Sequence, residues 1–199
     1  MRIAFGLKAH SGWAALVALG EDGGQLRVAD RRRLELVPED EADWAKQPYH
    51  AAQGLSPGDA RAMVRGGFAV TRKKALQEMT EAVKRAREAR HEVAACAVLM
   101  GEPMPAWSIE EILAVHFRMH KAEGLLFRDV LVRAAAGCDL EVVAIPEKFL
   151  EEHAAKVLAA PADALREKLS ALGKSAGPPW GKDQKDAALA AMVALHEKK

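Results

Sequence analysis

Residues 2–19 read RIAFGLKAHSGWAALVAL, and this stretch decides how the rest of the chain is understood. Ile3 to Leu7 and Trp13 to Leu19 are apolar runs of strand length. Between them lies the short polar turn Lys8-Ala9-His10-Ser11-Gly12. Two strands joined in this way form a hairpin whose turn is well placed for chemistry. Many such turns need an acid for catalysis, yet this one offers Lys8, His10 and Ser11 instead.

Downstream, Glu21-Asp22-Gly23-Gly24 is a second turn signal, and Gln25 to Val28 with Arg33 to Val37 supply a third strand. Apolar and charged residues alternate in Arg33-Leu34-Glu35-Leu36-Val37, as a half-buried strand requires. Residues 38–70 read as a loop-rich insertion with short helical pieces. Within it, Gln47-Pro48-Tyr49-His50 is expected to fold over the sheet end and pack Tyr49 with Trp44. A long helix is predicted from Thr71 to Arg90, with Leu76, Met79, Val83 and Ala86 on its buried face. Its basic residues are interspersed with glutamates, the pattern of a solvated face.

Val93 to Met100 is a continuous apolar run, suited to a central strand covered on both sides, and it ends in Gly101-Glu102-Pro103. Ser108-Ile109-Glu110-Glu111 is a capping box opening a helical stretch to about Ala136, with Gly124 as the point where it would break. Leu140 to Ile145 is another short strand. Helices over Phe149–Leu158 and Ala162–Leu172 then make residues 149–182 a helical insertion before a last helix from Asp183 to about His196. The early strands pair as antiparallel hairpins, whereas the later ones need helical crossovers and should be parallel. The expectation is one α/β domain over residues 1–199, a mixed sheet with helices on its faces.

Composition sets the outer bounds. The chain has 199 residues, 50% hydrophobic and 29% charged, enough to bury a core without staples. A formal net charge of +1 argues against strong non-specific nucleic-acid binding but leaves room for a local basic patch. Cys96 and Cys138 form no metal or disulfide framework, which suggests a reducing compartment. The N-terminus is a poor signal peptide and no apolar run reaches membrane-spanning length, so a cytoplasmic protein without a membrane partner is expected.

Three local sequences resemble the ribonuclease H-like superfamily, most closely the RuvC-type Holliday-junction resolvases. They are GLKAHSGWAALV at 6–17, EGLLFRDVLVRAAAGCDLEVVAIPEK at 123–148, and the segment from Pro178-Pro179 to Leu189 that contains GKDQKDAAL. The resemblance implies a mixed ribonuclease H-like sheet, with helices on both faces. It also implies phosphodiester cleavage by two divalent metals, Mg²⁺ or Mn²⁺, held by acids from the first strand, the fourth strand and the last helix. Carried over by position, Glu102 matches the fourth-strand acid, and Asp183 and Asp186 match the pair on the last helix. These three are the implied catalytic residues, with Glu102 and Asp186 as metal ligands. The first-strand aspartate falls on Lys8 or Leu7, and an ammonium there repels Mg²⁺.

Each candidate has a plainer reading. Lys8 replaces the metal as an ion pair with Glu102 and Asp186, or joins His10, Ser11 and the Gly12 amide in a phosphate-binding turn, or simply points into solvent at the strand end. Adjacent strand residues face opposite ways, so His10 is badly placed as a base for Ser11, and hydrogen bonding within the turn is the simpler role. Glu102 would otherwise cap a neighbouring helix or loop, and Asp183 would be a first-turn acid complementing the helix dipole. His116 and His120 have a metal-compatible i, i+4 spacing. No third ligand is evident beyond Glu123, with Lys121 alongside, so structural histidines or an interface are expected there.

The leading expectation is a RuvC-like nucleic-acid-processing scaffold with an altered or absent metal centre. Two alternatives stay open: a non-catalytic assembly module with a protein partner or a second copy, and a phosphate- or nucleotide-binding enzyme of the actin-like group. The last lacks a second glycine-rich phosphate turn. Lys8, Glu102 and Asp186 are expected to converge at one end of the sheet, and any of them at the opposite end would remove the site.

Overall fold

The computed structural model describes residues 1–197. Strands β1 (Arg2–His10), β2 (Trp13–Asp22) and β3 (Gln25–Glu35) form an antiparallel meander. β4 (Glu92–Met100) runs parallel to β1, and β5 (Val142–Pro146) runs parallel to β4. The sheet order is β3-β2-β1-β4-β5, which places β1 at the centre with partners of both senses. This is the mixed α/β sheet that the order of strand and helix signals implies.

Short helices α1 (Ala42–Ala45) and α2 (Pro48–Ala51) precede the 32-residue α3 (Pro57–Glu88). Helix α3 therefore begins well before Thr71. Pro57 occupies its first turn and the Ser56 side chain accepts from Asp59 N, a proper helix start inside what reads as loop. Its buried face is carried by Thr71, Ala75, Met79, Ala82, Val83 and Ala86 rather than by Leu76, which is exposed. After β4, α4 (Ile109–Leu113) starts at the capping box. The helical stretch breaks at Ala114-Val115, and α5 (His116–Gly137) then passes through Gly124 without interruption. Helices α6 (Leu150–Val157), α7 (Ala162–Ala176) and α8 (Lys182–Glu197) complete the chain.

Strand alternation divides the core in two. Ile3, Phe5, Leu7 and Ala9 point to the α3–α5 side, where they pack with Met79, Leu126, Phe127 and Val130. Ala4 on the opposite face packs with Ala187, Ala190 and Ala191 of α8 and with residues of α6 and α7. Lys8 shares the parity of Ala4 and Gly6, so it faces α8. A smaller apolar cluster, including Tyr49, Val64, Ile112 and Met119, joins α2 and the start of α3 to α4 and α5.

Candidate functional site at the sheet end

Helix α8 lies flat on β1 because both surfaces are stripped of bulk. Five buried alanines line the helix, at 187, 188, 190, 191 and 194. Gly6 faces them, and a Cβ on Gly6 would stand 1.9 Å from Ala187 O and 2.7 Å from Ala191 N. This approach brings the first turns of α8, with Asp183 and Asp186, onto Lys8 near the end of β1.

The Lys8 ammonium donates to Asp186 Oδ2 at 2.6 Å and lies 3.2 Å from Glu147 Oε1 and 3.4 Å from Asp183 Oδ1. Its side chain is 7% exposed. Lys182 Nζ approaches the same Asp186 oxygen at 2.6 Å, from the next turn of α8. The other Glu147 oxygen accepts from Arg128 Nη2 at 2.9 Å, and Arg128 Nη1 also donates to Gly124 O at 2.7 Å. His10 Nε2 is 3.2 Å from Asp183 Oδ1, with its ring stacked on Trp13 at 4.2 Å.

Three carboxylates thus meet three obligate cations at this end of the sheet. Burial by itself lowers the pKa of Lys8, but the hydrogen bond and charge of Asp186, reinforced by Glu147, outweigh it and hold the ammonium above its ordinary value. For Glu147, burial pushes the carboxyl up, yet Arg128 and Lys8 together bring it below the usual glutamate range. Both groups are therefore charged at neutral pH.

Of the residues singled out in sequence, Lys8, His10, Asp183 and Asp186 come together. Glu102 does not join them. It stands beyond β4 at the same end of the sheet, 68% exposed, with Lys148 Nζ 3.4 Å away. The acid that completes the cluster is Glu147, just after β5, fixed by Arg128 from α5. Ser11 is exposed in the turn, and Gly12, at φ +83°, is covered by the Lys46 side chain. Beside that turn, Asp183 and Asp186 stand around Lys8, and Asp183 also faces His10.

Two cavities border the cluster. One of about 380 Å³ is lined by Glu147, Lys148, Phe149, Glu151, Lys182 and Asp186. The other, about 360 Å³, is lined by Glu102, Phe117, His120, Lys121 and Arg128 among others. Phe117 and Phe149 are 71% and 52% exposed, unusual for phenylalanine. A third cavity, about 480 Å³, lies by the other end of α8, next to Leu26, Leu172, Met192 and Leu195, away from these residues.

His116 and His120 sit on the first turns of α5, and α2 brings His50 against them. The sequence does not connect His50 to the pair, because His50 lies 66 positions before His116 and α2 carries no periodic signal.

No protein-family model matches this chain, and no curated protein gives a significant sequence match. Solved structures do match. The Thermus thermophilus RuvC structure is similar over 96% of this chain and 92% of that one, at 13% identity and a TM-score of 0.50. T. thermophilus RuvC in complex with a Holliday junction substrate is similar over 97% and 92%, at 11% identity and a TM-score of 0.53. At these identities the likeness establishes the fold. Among the described residues, no helix is long and apolar enough to cross a membrane.

Proposed function

We propose that this chain is a RuvC-like nucleic-acid-binding scaffold in which a lysine ammonium stands in place of the divalent metals, so that it does not cleave phosphodiesters at the sheet end. The observation that carries this reading is Lys8 itself, 2.6 Å from Asp186 and within 3.4 Å of Asp183 and Glu147. The acids left on α8 do not fit a metal pair of the ribonuclease H type. Their charge is already balanced by Lys8, Lys182 and Arg128, and a divalent ion beside a buried ammonium is repelled. Glu102, the acid that the resemblance assigns to the metals, is turned toward Lys148 at the surface.

Binding is supported by the rim of the two cavities. Exposed Phe117 and Phe149 offer stacking faces, and Lys121, Lys148 and Lys182 offer contacts to phosphate. Such a rim suits unpaired or splayed bases better than an intact duplex. One of the compared RuvC structures holds a Holliday junction substrate, which makes branched DNA the ligand to try first.

Fluorescence anisotropy with a four-way junction, a duplex and a single strand tests the proposal, alongside cleavage assays in Mg²⁺ and Mn²⁺. The junction or single strand should bind in preference to duplex, with no cleavage. Phe117→Ala and Phe149→Ala should each weaken binding by about 1–3 kcal/mol, the worth of one base–aromatic stack. Metal-dependent cleavage abolished by Asp186→Asn would defeat the non-catalytic reading. Absence of binding to any of the three nucleic acids would defeat the binding one.

A further inference from the structure

We propose that His50, His116 and His120 form a binding site for a divalent transition metal of the zinc class, distinct from the Lys8 centre. One ring nitrogen from each of the three lies within 4.8 Å of the others. His116 Nε2 and His120 Nε2 are 3.0 Å apart. Two imidazole nitrogens on one tetrahedral zinc, each at about 2.0–2.1 Å from the metal, stand about 3.3 Å apart, so this pair is already close to ligand spacing.

The decisive residue is His50. Its Nδ1 lies 2.9 Å from both oxygens of Glu123. Glu123 is 2% exposed and also accepts from the backbone amides of Tyr49 and His50, at 3.1 and 3.2 Å. With Glu123 taking up Nδ1, the nitrogen of His50 left to meet a metal is Nε2. That Nε2 is buried and has no hydrogen-bond partner. A carboxylate fixing one imidazole nitrogen while the other faces further donors is the arrangement that orients histidine ligands and raises their basicity.

The local fold supplies this geometry for no evident packing reason. His116 and His120 are both exposed, on successive turns of α5. The apolar cluster of Tyr49, Ile112 and Met119 holds α2 and α5 together without the imidazoles. Three imidazole nitrogen donors select zinc, nickel, copper or cobalt over Mg²⁺ and Ca²⁺, which prefer oxygen. The outer side of the cluster is open, and His120 lines the cavity shared with Glu102, Phe117 and Lys121. A metal held by three protein nitrogens therefore keeps a fourth position for water, facing the groove to which nucleic-acid binding is assigned. The site stands on its own residues and does not depend on that assignment.

The test is titration of the full chain, purified without a histidine tag, with Co²⁺ as a spectroscopic probe and Zn²⁺ as competitor. The native chain should bind one Co²⁺ with the intense visible bands of a four-coordinate ion, and Zn²⁺ should bleach them. His116→Ala and His50→Ala should each abolish saturable binding, and Glu123→Gln should weaken it about 10–100-fold. Bands that persist unchanged in the histidine variants would overturn the site. The native chain alone keeps the test decisive if a variant fails to fold. No Co²⁺ bands and no rise in melting temperature with Zn²⁺ would also overturn it.

Discussion

At the scale of single residues, Lys8 is the point on which structure and function both turn. A buried ammonium is tolerated because three carboxylates surround it, and those carboxylates rely on it, with Lys182 and Arg128, for their charge balance. Replacing Lys8 with methionine leaves Asp186, Asp183 and Glu147 facing one another, and should cost about 3–5 kcal/mol, the range for breaking a buried ion pair from one side. Chemical denaturation of Lys8→Met against the native chain measures this, and a loss well under 1 kcal/mol would mean the cluster is solvated in practice. The pH dependence follows from the two shifted groups. The raised pKa of Lys8 makes its contribution complete below about 10.4 and lost only in stronger alkali. The depressed pKa of Glu147 makes its contribution complete above about 4.3 and lost as pH falls through its lower folded value. Melting curves of Glu147→Gln should therefore lie below the native ones by a constant margin from about pH 5 to 9, and the gap should close in acid. A gap that stays open at about pH 2 would assign the effect to packing instead.

At the scale of elements, the close contact of α8 with β1 delivers the acids to the lysine. Gly6→Ala pushes a Cβ into the α8 backbone, where no side chain can rotate away. The cost should be about 3 kcal/mol, the upper end for overpacking, and the melting temperature should fall by about 6–12 °C. A variant melting within about 2 °C of the native chain would show that α8 shifts freely. Four of the five strands were legible in sequence because their apolar runs are short, continuous and bounded by glycine, proline or charge, whereas β3 showed only as alternation in two pieces that the structure joins into one strand from Gln25 to Glu35. The start of α3 was not, since Pro57, Gly58, Gly66 and Gly67 imitate a loop. In the structure, Pro57 begins the helix, and Trp44 and Pro48 pack where Gly66 and Gly67 lack side chains. The break between α4 and α5 falls at Val115, which carries no glycine or proline to announce it. The α8 acids were singled out by the resemblance, and their spacing of three agrees with one shared helix face. Glu147 was not, because an acid after a strand becomes a site residue only when a distant helix supplies Arg128. His50 was hidden for the same reason: its partners lie on α5, and only the tertiary fold joins them.

At the scale of the whole molecule, one end of a five-stranded sheet carries the charge-balanced Lys8 cluster, two exposed phenylalanines and the histidine trio. The fold is the one found in RuvC, and the proposed departure from RuvC chemistry rests on one side chain near the end of the central strand. Mn²⁺ binding, followed by electron paramagnetic resonance, tests that departure most directly. A His116→Ala background removes the histidine trio as a competing site. With Lys8 present, no saturable Mn²⁺ binding is expected, and with Lys8→Asp, which turns the ammonium into a fourth carboxylate, saturable binding is expected. Saturable Mn²⁺ binding to the Lys8-containing chain, lost on Asp186→Asn, would contradict it.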